Sequence, residues 1–206
     1  MRNFSLFLLA GVVALTACDS ARKPSDANFR KAIDQYLAKR GKACTWVVGS
    51  FPADVSDSEQ KLQSGAASQM AVLERAGLVH SSDTIAAAPG IFGPSAPRRV
   101  KRYEPTEEGK KYLQQVPGVL GQRTGFCYGD KTVDSIVKWT EPVTMGASSQ
   151  TEVTYTYKIA DLAPWAQRSD IQQQLGDVRA TVDGISKTNE AAKLELTNQG
   201  WVVPSQ

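Results

Sequence analysis

The stretch from Glu152 to Ile159 constrains the fold of this chain most tightly. Val153, Tyr155, Tyr157 and Ile159 alternate with Glu152, Thr154, Thr156 and Lys158. A period of two sends one set to each face of a strand. One face is then buried and the other wet, which is the pattern of an antiparallel sheet. Gly125-Phe126-Cys127-Tyr128, Val133 to Trp139, Val178 to Val182, Ala192 to Leu196 and Trp201 to Val203 read as further strands. Pro164 opens one short helix carrying Trp165, Ile171 and Leu175. Residues 118–206 are therefore expected to form a mostly antiparallel β subdomain.

Residues 29–117 carry a different signal. Phe29, Ala32, Ile33, Tyr36 and Leu37 make one apolar helical stripe, with Asp26 or Asn28 to cap its start and Gly41 to end it. Trp46-Val47-Val48 reads as a short strand with Cys44 just before it. A second helix is expected between Asp57 and Ala76, broken near Gly65, with Ala66, Met70 and Leu73 on one face. Ala86 to Pro97, rich in Ala, Pro and Gly, reads as a loop. Arg98-Arg99-Val100-Lys101-Arg102-Tyr103 gives a basic strand. Thr106 then caps a third helix whose first turn holds Glu107 and Glu108, where the dipole favours acids. The class expected is α+β.

Leu73-Glu74-Arg75-Ala76-Gly77-Leu78-Val79, a hairpin, and Tyr103-Glu104-Pro105-Thr106-Glu107-Glu108-Gly109 together resemble the winged-helix pattern of MarR-type regulators. In that family a recognition helix ends in a Gly-Leu-Val turn, and a wing hairpin returns to a Thr-x-x-Gly helix start. The resemblance covers residues 57–115, with a stretch at 86–97 longer and more apolar than a usual wing. It implies a winged-helix-like N-terminal subdomain (29–117) packed on the C-terminal antiparallel β-sheet (118–206) with its one short helix. Leu194 to Gly200 faintly echoes the segment at Tyr103.

The N-terminus gives an expectation about location. Arg2 precedes an apolar run, Phe4 to Leu15, of about a dozen residues, short of the roughly 20 that a spanning helix needs. Length and flanks point to a cleaved signal peptide, residues 1–17. Leu15-Thr16-Ala17-Cys18 resembles the lipobox of bacterial lipoproteins, which implies lipid on Cys18 and an anchor built from several acyl chains. Asp19 resembles the inner-membrane retention signal of enterobacteria, with the outer membrane as the other destination. Residues 18–28 then read as a lipidated tether, whose ten residues after Cys18 reach at most about 35 Å. As a whole, residues 18–206 resemble proteobacterial lipoproteins to which no activity is assigned.

Charge and cysteines narrow the chemistry. Loss of residues 1–17 removes Arg2 and no acid, so the remaining chain carries 23 cations minus 21 acids, or +2. That balance gives no global field for nucleic acid, and no nucleic-acid partner is expected. With Cys18 lipidated, Cys44 and Cys127 remain, and in an oxidising periplasm they are expected to pair. The chain-entropy model assigns a loop of roughly 80 residues on the order of 4–5 kcal/mol.

His80 is the single histidine, and neither a nucleophile elbow nor clustered ligands surround it. No phosphate-cradling glycine loop occurs, and no cofactor or metal is expected. Asp161, Asp170, Asp177 and Asp183 could supply the carboxylate pair of a periplasmic hydrolase, although scattered acids are normally a solvated surface. Trp139, Tyr155, Tyr157 and Trp165 could line a groove, but their alternation suits core packing better. The basic run Arg98, Arg99, Lys101 and Arg102 is the most suggestive local feature: in an exported protein it would meet anionic lipid or an acidic partner, or merely keep a strand edge soluble. The sequence thus leads to a membrane-tethered, periplasm-facing binding or envelope-accessory protein. Its alternatives are a hydrolase with a carboxylate pair and, if the chain is not exported, a DNA-binding winged helix.

Overall fold

The computed structural model describes residues 20–204 except 48, 63–64, 91–92, 119–120 and 147. The signal segment, Cys18 and Asp19 lie outside the described residues. The fold is α+β with antiparallel sheets and several short helices. In chain order it runs α1 (Asp26–Arg40), β1 (Lys42–Trp46), β2 (Ala53–Ser56), α2 (Asp57–Leu62), α3 (Gly65–Arg75), β3 (Val79–Gly90), β4 (Gly93–Pro105) and α4 (Glu107–Tyr112). Then come β5 (Leu113–Gly118), β6 (Gly121–Trp139), β7 (Val143–Met145), β8 (Ser148–Ala160) and a 3-10 turn (Pro164–Gln167). The chain closes with α5 (Ser169–Gln172), α6 (Gly176–Asp183), β9 (Asn189–Thr197) and β10 (Gly200–Val202).

One sheet has the order β1-β6-β8-β9-β10, with β5 also on β6 and β7 also on β8; the other has the order β2-β4-β3. The chain forms two compact units. One takes in the chain up to Tyr36 with Val133–Thr156 and the chain from Asn189; the other takes in Leu37–Thr132 and Tyr157–Thr188. The boundary expected at 117/118 falls inside the second of these. β5 and the stretch of β6 that pairs with it, Gly121 to Phe126, both lie in that unit.

In the first unit the α1 stripe is buried as its spacing requires, with Phe29 and Ile33 fully enclosed. Phe29 meets the rings of Trp139 and Trp201 edge-on, with centroids 5.2 and 5.1 Å away. Such pairs add about 0.5–1.5 kcal/mol to the area they bury. The α1 cap differs from expectation. The helix begins at Asp26, so Ser25 stands at the cap: its carbonyl accepts from Phe29 N–H and its hydroxyl from Asn28 N–H. Asp26 instead accepts from the Trp139 indole N–H at 3.0 Å, and Asn28 donates to the Ser20 and Lys23 carbonyls. Val153 and Tyr155 of β8 are buried, with the Tyr155 hydroxyl donating to Glu190.

In the second unit one core joins α3, β3, β4, β6 and the 163–178 segment through Met70, Leu73, Leu78, Tyr103, Phe126 and Trp165. Cys44 lies within β1, not before it, and β1 ends at Trp46. Val48 of the expected strand is outside the described residues. The helix expected at 57–76 is broken as foreseen, into α2 and α3, with Met70 and Leu73 buried on α3 beside Ala67 and Val72.

Two expectations are overturned. Residues 86–97, read as a loop, belong largely to β3 and β4, with Ala86 opposite Arg98, Ala87 opposite Pro97 and Pro89 opposite Pro94. β2 pairs β4 only at residues 100–103, so Pro94 and Pro97 lie where β4 has a single neighbour. A proline, lacking an N–H, is tolerated on such an edge. Val178 to Val182, read as a strand, lies in the helix α6. Val178 and Val182 are four apart and face the core together, so packing outweighs the β preference of valine. With α5, α6 and the 3-10 turn, the C-terminal half has more than one short helix.

Candidate functional site

The resemblance motifs meet in the second unit, and the backbone explains their letters. α3 ends in a turn at Gly77, whose φ of +77° lies in the left-handed region that glycine adopts most easily. Leu78 N–H then bonds to the Leu73 carbonyl at 2.9 Å, and Leu78 is fully buried. The far end of the hairpin returns to the same place. Thr106 N–H donates to the Leu78 carbonyl at 3.0 Å, and the Thr106 hydroxyl donates to the Gly77 carbonyl at 2.7 Å while accepting from Gly109 N–H at 2.9 Å. The Gly-Leu-Val turn and the Thr-x-x-Gly start are thus bonded to each other. Gly109 presses on Leu78 so closely that a Cβ would lie 1.8 Å from its carbonyl oxygen.

The β3–β4 hairpin carries the basic run, and the structure divides it. Arg102 faces Asp54 across the β2–β4 pair and grips both of its carboxylate oxygens at 2.7 Å. The Arg102 hydrogen bonds hold the Asp54 carboxyl below its usual pKa, against the opposing effect of burial. Lys101 lies 3.4 Å from Glu74 of α3 and stacks over Tyr103 at 5.4 Å. Burial disfavours the Lys101 cation, but Tyr103 and Glu74 outweigh it and hold its pKa above the ordinary value. These two cations are spent within the unit. Arg98 and Arg99 are exposed and, among the described residues, form no ion pair. Both line a hollow of about 410 Å³ with Lys61, Ser56, Asp57 and Ser58.

The wall of that hollow opposite the arginines is fixed by a capping box that the sequence reading missed, Ser56-Asp57-Ser58-Glu59. Ser56 N–H donates to the Glu59 carboxylate at 2.8 Å and the Ser56 hydroxyl donates to the same oxygen at 2.6 Å; Glu59 N–H reaches back to Ser56 Oγ at 3.4 Å. The Ser56 hydroxyl and amide hold the Glu59 carboxyl below its usual pKa, against burial, with a smaller pull from Arg98. The Ser56 proton is committed to Glu59, so the 3.0 Å contact between Ser58 Oγ and Ser56 Oγ must have Ser58 as donor. Both hydroxyl protons are therefore occupied, and Lys61, Arg98 and Arg99 are left as the groups that could bind an anion there.

The other candidates do not gather. His80 is exposed on β3, with Nε2 3.9 Å from Glu104. Asp170 is held by Arg168 at 2.8 and 3.1 Å. Asp161 shares a hollow of about 120 Å³ with Asp130, which pairs with Lys42 at 3.6 Å. Ligand sites usually need about 300–1,000 Å³, so that volume suits a few waters better than a sugar ring. Tyr155, Tyr157 and Trp165 are buried, and burial with the neighbouring Glu190 charge pushes the Tyr155 pKa up. Among the described residues no group of three or more metal-ligating side chains occurs.

Cys44 and Cys127, register partners on β1 and β6, are joined by a disulfide. No helix among the described residues is long and apolar enough to cross a membrane. No family model, characterised protein or solved structure matches the chain.

Proposed function

We propose that the chain is an exported lipoprotein, held to a membrane through lipid on Cys18 and facing the periplasm. In this reading it acts by binding, as an envelope-accessory protein, through a winged-helix-like unit. The observation that carries the reading is the Cys44–Cys127 disulfide. Such bonds persist in oxidising compartments, and this one joins the only two cysteines that the lipobox resemblance leaves free.

The winged-helix-like reading is supported by connectivity. α2 and α3 lie between β2 and β3, and β4 pairs with both β2 and β3 in the order β2-β4-β3. The bonding of Thr106 to Gly77, Leu78 and Gly109 supports it further, since it gives those four residues of the two resemblance motifs a structural task.

The test is the intact mass of the protein from a membrane fraction, alkylated before and after reduction. The expected species is residues 18–206 plus acyl chains, with two thiols alkylated only after reduction. An unlipidated full-length species with free thiols would overturn the export reading and leave the DNA-binding winged helix in its place.

A further inference from the structure

We infer that the corner where β2 leaves β4 is a site for the phosphate of an anionic phospholipid headgroup, bound by Lys61, Arg98 and Arg99. The inference deepens the lipoprotein reading and rests on it for the choice of ligand.

The corner arises from strand length. β2 makes its last pair at Ser56 opposite Val100, then the capping box turns the chain into α2. From Arg99 outward β4 has lost its β2 neighbour. The space that opens is the 410 Å³ hollow, with Lys61 on the α2 side and Arg98 and Arg99 on the β4 side. Three cations there meet one lining carboxylate, Asp57. The second acid nearby, Glu59, is tied back onto Ser56. Among the described residues the three cations form no ion pair; the pull of Arg98 is the smallest of the effects on Glu59, and the nearest hydroxyl donors are committed elsewhere. Lys101 and Arg102, the other half of the basic run, are excluded by their ion pairs with Glu74 and Asp54.

Apolar neighbours select the source of the phosphate. Ile85 is 69% exposed and faces Arg99 directly across the hairpin, which places the two side chains on one face of the pair. Leu62, 72% exposed, follows Lys61 in the chain. A bilayer interface offers phosphates and acyl surface together, whereas a soluble phosphate or a duplex backbone offers the charge alone. A chain anchored at Cys18 also needs little intrinsic affinity, because the anchor holds the local headgroup concentration high.

The test uses residues 18–206, which include every described residue, with Cys18→Ser so that no binding can come from acyl chains. Sedimentation with vesicles of phosphatidylcholine, with and without phosphatidylglycerol, reads the affinity. Binding is expected only with phosphatidylglycerol and should weaken with salt. Lys61→Gln, Arg98→Gln and Arg99→Gln should each weaken it about fivefold, and all three together about a hundredfold. Ile85→Ser should weaken vesicle binding, and Lys138→Gln, which removes an exposed cation on β6, should leave it unchanged.

Equal binding to both vesicle types, or a triple variant that binds like the parent, overturns the site. Competition by inorganic phosphate with no effect of Ile85→Ser overturns the lipid as its ligand. Stronger displacement by a DNA duplex or by polyglutamate does the same in favour of those classes. The two readings fail separately: acylated Cys18 in cells without headgroup selectivity removes the site alone. Headgroup selectivity with unacylated Cys18 supports the site and removes the anchor.

Discussion

Replacing Gly109 by alanine separates two physical effects of opposite sign. Gly109 lies inside α4, where helix propensity alone favours alanine by about 0.8–1.0 kcal/mol. The backbone there, however, presses on Leu78. A new Cβ would sit 1.8 Å from the Leu78 carbonyl oxygen and 2.7 Å from its carbon. These are backbone atoms of a fully buried residue, so no side chain can swing aside. Overpacking of this kind costs about 1–3 kcal/mol. The shift that relieves it also strains the 3.0 Å bond from Thr106 N–H to that same carbonyl, worth about 1 kcal/mol. Since the last loss roughly offsets the propensity gain, the net expectation is a loss of about 1–3 kcal/mol. Urea unfolding of the oxidised protein, followed by circular dichroism, measures it. Gly176→Ala is the control: a Cβ at this first residue of α6 meets nothing within 4 Å, so the midpoint should hold or rise. A Gly109→Ala protein as stable as the parent would refute the close approach, and with it the account of why Thr-x-x-Gly follows the hairpin.

Three further outcomes follow from the same structure. Phe29→Ala removes a fully buried ring wedged between Trp139 and Trp201, and should cost about 3–5 kcal/mol in the same assay; a loss under 1 kcal/mol would mean that the α1 face is not packed as described. Reduction of Cys44–Cys127, 83 residues apart, should lower stability by up to about 4–5 kcal/mol, read as a drop in urea midpoint with dithiothreitol; an unchanged midpoint would count against the bond. The Asp54 pKa is depressed in the fold, so the contribution of its Arg102 pair is full above the ordinary value of 3.8 and is lost as pH falls through the folded value. Asp54→Asn should therefore flatten the acid limb of the stability profile below about pH 4, and a slope identical to the parent's would sink that assignment.

How much of the fold was legible depended on whether the deciding interaction was local. The α1 stripe, the break at Gly65 and the Thr106 cap are set within a few residues and appear where the sequence places them; the alternation in β8 holds except at Thr156, which is buried instead of wet. Val178 to Val182 fails because valine prefers strands only weakly, and a buried helical face costs more to give up than that preference returns. Residues 86–97 fail for the opposite reason. Proline and glycine normally end strands, but a hairpin that has outrun its β2 neighbour has edges that tolerate them. The echo between Tyr103–Gly109 and Leu194–Gly200 shows how little a shared Thr-x-x-Gly fixes. Thr106 starts a helix, whereas the Thr197 hydroxyl bonds to the Gly200 carbonyl and closes the β9–β10 hairpin.

The candidate site was half legible, and the missing half is non-local in sequence. Arg98, Arg99, Lys101 and Arg102 look equivalent as letters. They differ only because Asp54, on β2, is set in register with Arg102, and because Glu74, at the end of α3, reaches Lys101. Neither partner is near the run in sequence, and nothing in the run shows which of its cations is already paired. Lys61 carries no signal of its own for the same reason: it is one exposed lysine on a short helix until the Ser56–Glu59 capping box turns the chain into α2 beside the open edge of β4. The capping box itself was readable as Ser-x-x-Glu. Reading it as the point where β2 stops, and so where β4 loses a neighbour, would have shown that the basic run divides at Val100. Cations paired by the neighbouring strand and helix lie on one side of that residue. On the other side Arg98 and Arg99 form no ion pair among the described residues, and it is there that the proposed site finds its charge.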